Sequence, residues 1–138
     1  MRIMAIDYGD ARIGLAVSVE GAAFCGDAWT LSVKGAEKAA DAITAEAKRR
    51  NVSLFVLGYP KNMDGTLGQR TKKSEEFKAL LETRSDIPVV LWDERRTTIA
   101  AQDILHANNK KMKKGRQIID AIAATLILEG YLGTIKRD

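Results

Sequence analysis

Acidic side chains stand at three places in this chain where the surrounding apolar pattern does not explain them. Asp7 closes an apolar run near the N-terminus, Asp93 and Glu94 follow a second run, and Asp120 lies inside a third. Burying a carboxylate is costly unless it is paired or bound to a metal. Carboxylate oxygens suit hard divalent cations such as Mg²⁺ and Mn²⁺. In a basic chain, this pattern favours one shared site and metal-dependent cleavage of a phosphodiester.

Asp93 and Glu94 are neighbours, and neighbours on an extended chain point to opposite faces. Only one of them can therefore enter a site shared with Asp7. The sequence does not decide between them. We favour Glu94 for its longer reach and keep Asp93 as the alternative. A local ion pair in a strand-to-helix loop is the non-catalytic interpretation of this acidic pair.

Asp120 is harder to explain as a structural residue than Asp7. Asp is common before Gly in turns, so Asp7 alone is equally well interpreted as a turn residue. The residues one turn away on the helical face of Asp120 are small or apolar, namely Ala123, Ala124 and Ile127. A carboxylate near the start of a helix is also stabilised by the helix dipole, which is the basis of a capping role. We nevertheless favour a functional role over a capping role for Asp120.

Basic residues are concentrated near these carboxylates. The net charge is +4, and five basic side chains fall within residues 110–116, directly before the predicted helix of Asp120. Such runs are usually solvated loops, but this position favours phosphate contact. Arg12, flanked by Gly9 and Gly14, could hold a phosphate near the backbone, although an exposed arginine in a hairpin turn is the simpler interpretation. The predicted nucleic-acid-binding residues are Arg12, Arg95, Arg96, Lys110, Lys111, Lys113, Lys114 and Arg116.

Several classes of protein are disfavoured by composition. The single histidine, His106, nearly excludes a His-rich zinc site and leaves little room for a Ser-His-Asp triad. The single cysteine, Cys25, excludes an intramolecular disulfide and fits a reducing compartment. The longest apolar runs are far shorter than a membrane span. We therefore expect a cytoplasmic protein without a membrane partner, folded as one domain over residues 1–138.

Hydrophobic periodicity predicts an α/β fold. Strands are predicted over Arg2–Tyr8, Arg12–Val19, part of Ala23–Ser32, Ser53–Gly58 and Val89–Trp92, and helices over Gly35–Asn51, Gln69–Thr83, from Thr97 or Thr98 to about Ala107, and Arg116–Tyr131. This order predicts a mixed five-stranded sheet, a three-strand antiparallel meander plus two parallel strands, flanked by helices. Ligand sites in such sheets lie outside the carboxyl ends of the strands.

Four segments together resemble the YqgF/RuvX family of bacterial ribonuclease H-like proteins, over nearly the whole chain. Each motif is weak alone, but four in this order are specific. The segments are Asp7–Ala16 as the opening motif, Leu57–Thr66 as the glycine-rich loop, Asp93–Arg95 with Thr97 and Thr98 as the third motif, and Asp120–Ala124 with Leu126–Leu128 as the C-terminal helix. One departure is Ala11, where many relatives carry lysine, and it affects a secondary phosphate contact only.

The resemblance implies a ribonuclease H-like fold and a metal-dependent nuclease that processes the 5′ end of the precursor of 16S ribosomal RNA. It implies a catalytic and metal-binding set of Asp7, Glu94 (or Asp93) and Asp120 around two Mg²⁺ or Mn²⁺ ions. The glycine-rich motifs imply a loop where phosphate approaches the backbone, formed by Gly9, Gly14, Gly58, Asn62 and Gly65.

Three alternatives to this function remain. The family is also labelled as Holliday junction resolvases, so branched DNA is the alternative to structured RNA as the partner. Junction cleavage needs two symmetric cuts and hence a dimer, and the expected state is a monomer or weak homodimer. A non-catalytic RNA-binding or assembly factor is the second alternative. The Asp-x-Gly opening also resembles the phosphate loop of actin-like sugar kinases, but those need a duplicated domain that we expect 138 residues to be too few to supply.

Overall fold

The structure is a computed structural model that describes residues 1–9, 12–59, 69–93 and 116–135, with side chains for 1–9, 12–58, 71–93 and 120–135. The described strands are β1 (Arg2–Tyr8), β2 (Ile13–Ser18), β3 (Cys25–Leu31), β4 (Val52–Tyr59) and β5 (Val89–Asp93). The described helices are α1 (Ala36–Arg49), α2 (Gln69–Arg84) and α3 (Arg116–Ile135).

The five strands form one sheet in the order β3-β2-β1-β4-β5. β1 pairs with β2, and β2 with β3, in antiparallel orientation, whereas β4 pairs with β1 and β5 in parallel orientation. The predicted meander followed by two parallel strands is therefore confirmed. The carboxyl ends of β1, β4 and β5 meet at one edge of the sheet.

Each face of the sheet has its own hydrophobic core. On one face, alternate residues of β1 such as Met4 and Ile6 pack with α1 and α2, including Phe77. On the other face, Ile3 and Ala5 pack beneath α3. This alternation is the two-residue period of a strand. Because β4 is covered on both faces, its sequence is a continuous apolar run rather than an alternating one.

The observed helices differ from the predicted ones at their ends. α1 stops short of Gly35 and Asn51, which have φ angles of +95° and +58°, outside the right-handed helical region. α3 continues to Ile135 because Leu132, 2% exposed, still packs into the core after the predicted end at Tyr131. The predicted helix ending near Ala107 and most of the predicted loops over residues 59–68 and 108–115 lie outside the described residues.

No helix within the described ranges is long and apolar enough to cross a membrane.

Candidate active site at the carboxyl edge of the sheet

Asp7 lies at the carboxyl end of β1 on the face covered by α3. Ile3 and Ala5 pack into the core beneath α3, and Asp7 continues their alternation. In the antiparallel ladder Asp7 lies opposite Gly14 of β2. In the parallel ladder Ile6 pairs with Leu57, so Gly58 is the β4 residue level with Asp7. Asp7 is therefore flanked on both neighbouring strands by glycines, which place no side chain beside its carboxylate.

Gly14 allows α3 to approach the sheet at this point. A Cβ atom on Gly14 would overlap the backbone carbonyl group of Asp120. Any residue other than glycine would push the first turns of α3 away from β2. Opposite residues in an antiparallel pair have Cα atoms about 4.5–5.5 Å apart, so this contact brings the backbone of Asp120 close to the part of β1 that carries Asp7. The structure thus assigns Gly14 a packing role, while its role in phosphate approach stays a prediction.

Arg12 forms an ion pair with Asp120 across 108 residues of sequence. The Arg12 Nε atom donates a hydrogen bond to Asp120 Oδ2 over 2.8 Å, and the two side chains are 32% and 22% exposed. Gly9 supports this arrangement, because a Cβ atom there would lie 2.5 Å from the Arg12 carbonyl oxygen. Sequence reasoning selected both Arg12 and Asp120 but missed their pairing, for which opposite charge is the only local signal.

β5 directs its side chains so that Asp93 faces away from Asp7. Val90 and Trp92 pack into the core beneath α3, whereas Val89 packs into the core beneath α1 and α2. By the same alternation Asp93 belongs to the α1 and α2 face. Glu94 lies outside the described residues. The choice between the two carboxylates stays a prediction, and the orientation of β5 favours Glu94.

A second glycine contact holds the other end of α3. A Cβ atom on Gly130 would lie 2.9 Å from the Trp92 ring. The Trp92 ring also meets Tyr131 edge to face, with ring centroids 6.0 Å apart and an interplanar angle of 83°. α3 therefore contacts the sheet closely at both ends, and this fixes the position of Asp120 along the strand axis.

Comparison with known proteins places this architecture in a family. A family model described as "RuvX: Holliday junction resolvase" matches residues 1–134. The chain belongs to the RuvX family. The predicted resemblance is thereby confirmed.

Curated relatives of this RuvX chain match it over nearly its full length. A protein of Desulfitobacterium hafniense (strain DSM 10664 / DCB-2) is 40% identical over 99% of this chain and 95% of its own length. A protein of Bacillus subtilis (strain 168) is 39% identical over 98% of this chain and 99% of its own length. Both are named "Putative pre-16S rRNA nuclease".

Solved structures confirm the ribonuclease H-like fold. RuvC of T. thermophilus in complex with a Holliday junction substrate superposes with a TM-score of 0.63, at 14% identity, covering 97% of this chain and 96% of that chain. The Fowlpox virus resolvase in complex with substrate Holliday junction DNA gives a TM-score of 0.59, at 13% identity, covering 98% and 99%. At these identities the likeness shows the fold alone.

Much of the RuvX resemblance falls on residues that the structure does not describe. Within the described ranges, no group of three or more His, Cys, Asp or Glu side chains lies close enough together to hold a metal. The predicted third ligand, Glu94, is outside those ranges, and the side chain of Arg116 is not described. The other predicted site residues outside the described ranges are Arg95, Arg96, Lys110, Lys111, Lys113, Lys114, Asn62 and Gly65.

Proposed function

We propose that this RuvX-family protein is a divalent-metal-dependent nuclease that hydrolyses phosphodiester bonds at the 5′ end of the precursor of 16S ribosomal RNA. The observation that carries this proposal is the convergence of Asp7 and Asp120 on one face of the sheet, at its carboxyl edge. The names of the curated relatives support the ribosomal RNA precursor as the substrate.

The donor chemistry of this site fits Mg²⁺ or Mn²⁺. Asp7 and Asp120 supply carboxylate oxygens, which are the ligands that hard divalent cations prefer. Glu94, directly after β5, is the proposed third ligand. Such ions supply activation of the attacking water and stabilisation of the charge that develops on the leaving oxygen. Without any ion, the Arg12 guanidinium neutralises Asp120.

Arg12 has two proposed roles that alternate. Its ion pair keeps Asp120 oriented beside Gly14. With a cation at Asp120, the guanidinium would be free to donate to a phosphate oxygen of the substrate, and its planar fork suits that geometry. The basic residues within 110–116 would contact the backbone on the approach to α3.

A DNA four-way junction is the second candidate substrate. The description of the family model and the junction complexes of the structural neighbours favour it. Resolution of a junction requires two symmetric cuts, hence two copies of the site in a dimer. The RNA reaction needs one site only, so the two candidates differ in the oligomeric state at which activity appears.

Cleavage of the two substrates side by side tests the proposal. A precursor 16S rRNA fragment and a synthetic four-way junction are incubated with wild-type protein and Mg²⁺, Mn²⁺ or EDTA. We expect metal-dependent cleavage of the RNA, lost in Asp7→Asn and retained in Asp86→Asn, which changes an exposed carboxylate near the amino end of β5. Cleavage of the junction alone would favour the second candidate. Cleavage of neither substrate would favour a non-catalytic RNA-binding factor.

A further inference from the structure

A groove opens on the face of the sheet opposite Asp7. It has a volume of about 470 Å³ and lies between Tyr8, the start of α1 and one side of α2. Its inner wall is a stacked aromatic pair, Tyr8 and Phe77, with ring centroids 4.2 Å apart and an interplanar angle of 17°. Leu80 and Ala36 extend this apolar wall. We call this feature the aromatic groove.

The rim of the aromatic groove is charged and accessible. Lys73, Glu76 and Ala79 line it and are exposed, while Phe77 beneath them is buried. A lysine ammonium at a rim suits a backbone phosphate. A glutamate carboxylate can accept a hydrogen bond from the exocyclic amine of a base. Because Phe77 is buried and stacked on Tyr8, the half-buried Tyr8 ring is the aromatic surface that the groove offers. That surface with such a rim matches a nucleotide, and the volume is within the usual range for small-ligand sites.

The aromatic groove is adjacent to the candidate active site. Asp7 and Tyr8 are consecutive in β1, so their Cα atoms are about 3.8 Å apart and their side chains lie on opposite faces of the sheet. A strand of RNA whose phosphate lies at Asp7 can run across the carboxyl end of β1. Its neighbouring nucleotide then comes to the mouth of the aromatic groove.

We propose that the aromatic groove binds an unpaired nucleobase of the RNA strand, next to the phosphate that is cleaved. This inference rests on the proposed nuclease function and adds a substrate class to it. A base can enter the groove only when it is free of a pairing partner. The preferred substrate is therefore an RNA with an unpaired nucleotide beside the cut, and a continuous duplex is a poor one.

A binding experiment that combines a protein variant with a modified RNA tests this proposal. Labelled single-stranded RNA of the precursor sequence is titrated with the protein in Ca²⁺, and one abasic nucleotide is moved along the strand. Stacking of a base on aromatic side chains gives roughly a tenfold or larger gain in affinity, so one abasic position should weaken wild-type binding by about that factor. Ala79→Trp fills the groove and should weaken binding of intact RNA similarly, while removing the sensitivity to the abasic position.

A matched control is available on the neighbouring helix. Ala45 is exposed on α1 and does not line the groove, so Ala45→Trp adds the same side chain elsewhere and should bind like wild type. If thermal melting shows that Ala79→Trp is not folded, Ala36→Leu fills the groove from the side of α1. The affinity of Ala79→Trp for each RNA is compared with that of wild type for the same RNA. If the substitution lowers the affinity for intact and for abasic RNA by the same factor, or lowers neither, the proposal is overturned.

The groove and the nuclease function can fail independently. If RNA cleavage is normal but Ala79→Trp and the abasic position show no coupling in binding, the groove proposal is overturned and the proposed nuclease function stands. If the two changes are coupled in the binding assay but no RNA is cleaved, the groove proposal stands as a nucleobase site and the proposed nuclease function is overturned. A preference of cleavage for duplex RNA over the same cut beside an unpaired nucleotide would also overturn the groove proposal.

Discussion

Two of the arginines that pair with carboxylates, Arg50 and Arg12, have different surroundings. Arg50, at the end of α1, donates from Nε to Glu46 over 2.9 Å and from Nη1 to Asp27 over 3.1 Å. Its guanidinium also stacks over the Trp29 ring at 4.1 Å. Among the described residues, Arg12 makes one hydrogen bond, to Asp120. The first arginine links α1 to β3 through two carboxylates and a ring, whereas within the described ranges the second contacts one carboxylate.

The contrast distinguishes a structural set of ion pairs from the ion pair at the proposed active site. At Arg50, three partners from two elements share one cation, and removal of any one leaves the others in place. At Arg12, a single contact neutralises a carboxylate that the fold has brought to the carboxyl edge of the sheet beside Asp7. We therefore expect Arg12, rather than Arg50, to exchange its carboxylate for another partner. Four predictions test this distinction, from the largest expected effect to the smallest.

The largest effect is expected for Asp7→Asn. Loss of this proposed metal ligand should lower the rate of RNA cleavage by at least ~10²-fold, because the charge needed to bind the cation is gone. The melting temperature without metal should change little. The matched variant is Glu46→Gln, which should retain full activity. It changes one member of the Arg50 cluster, which consists of Arg50, Glu46, Asp27 and Trp29. Equal cleavage activities of the two variants would show that Asp7 is no more important for cleavage than Glu46.

Gly14→Ala should have the next largest effect. The added Cβ atom overlaps the Asp120 backbone, so α3 must shift, and overpacking of this kind costs about 1–3 kcal/mol of unfolding free energy. Urea denaturation measures the loss, and cleavage activity should fall with it because Asp120 is displaced. The control is Gly133→Ala in α3, where a Cβ atom meets nothing within 4 Å. That change should be neutral or stabilise by about 0.5–1 kcal/mol.

Arg12→Ala should strengthen metal binding and weaken RNA binding. A pair of this kind is worth up to about 1 kcal/mol, so release of Asp120 should tighten Mn²⁺ binding by roughly fivefold. Thermal melting across a Mn²⁺ titration reports this as a shift that begins at lower concentration than in wild type. Arg12→Lys keeps the charge, so its affinity for Mn²⁺ should lie between those of wild type and Arg12→Ala. A titration unchanged by either variant would show that Asp120 does not exchange Arg12 for a cation.

The smallest effect concerns the pH dependence of the Arg50 cluster. Hydrogen bonds from Arg49 and Arg50 lower the pKa of Glu46 below its ordinary value of 4.5. A carboxyl group whose pKa is depressed on folding stabilises the protein above its unfolded pKa, and this stability is lost as the pH falls through the folded pKa. Glu46→Gln should therefore lower the melting temperature slightly at pH 7 and by less at pH 3. An equal difference at both pH values would assign the effect to packing.

Much of the fold follows from local pattern. The alternation of Ile3, Ala5 and Asp7 determines which face of β1 carries the carboxylate, and the unbroken apolar run of β4 indicates a strand covered on both faces. Helix ends were less predictable. Gly35 and Asn51 are the ends of the predicted helix but adopt positive φ angles, which periodicity does not reveal.

The candidate site was predicted in part. Asp120 was selected because a carboxylate on an apolar helical face needs a partner, and the structure supplies one in Arg12. The identity of that partner depends on where α3 meets the sheet. That position is set by contacts of Gly14 and Gly130, two glycines whose roles are steric and leave no trace in a hydrophobic pattern.

The sequence by itself determined the elements, the faces of the strands and the residue types that suit a hard cation and a phosphate backbone. The tertiary structure alone decided the pairing of Arg12 with Asp120, the orientation of Asp93 away from Asp7, and the groove of Tyr8 and Phe77. The physical reason is one of range. A strand or helix period is set by the backbone over a few residues, whereas contacts across 108 residues depend on how closely two packed surfaces can approach.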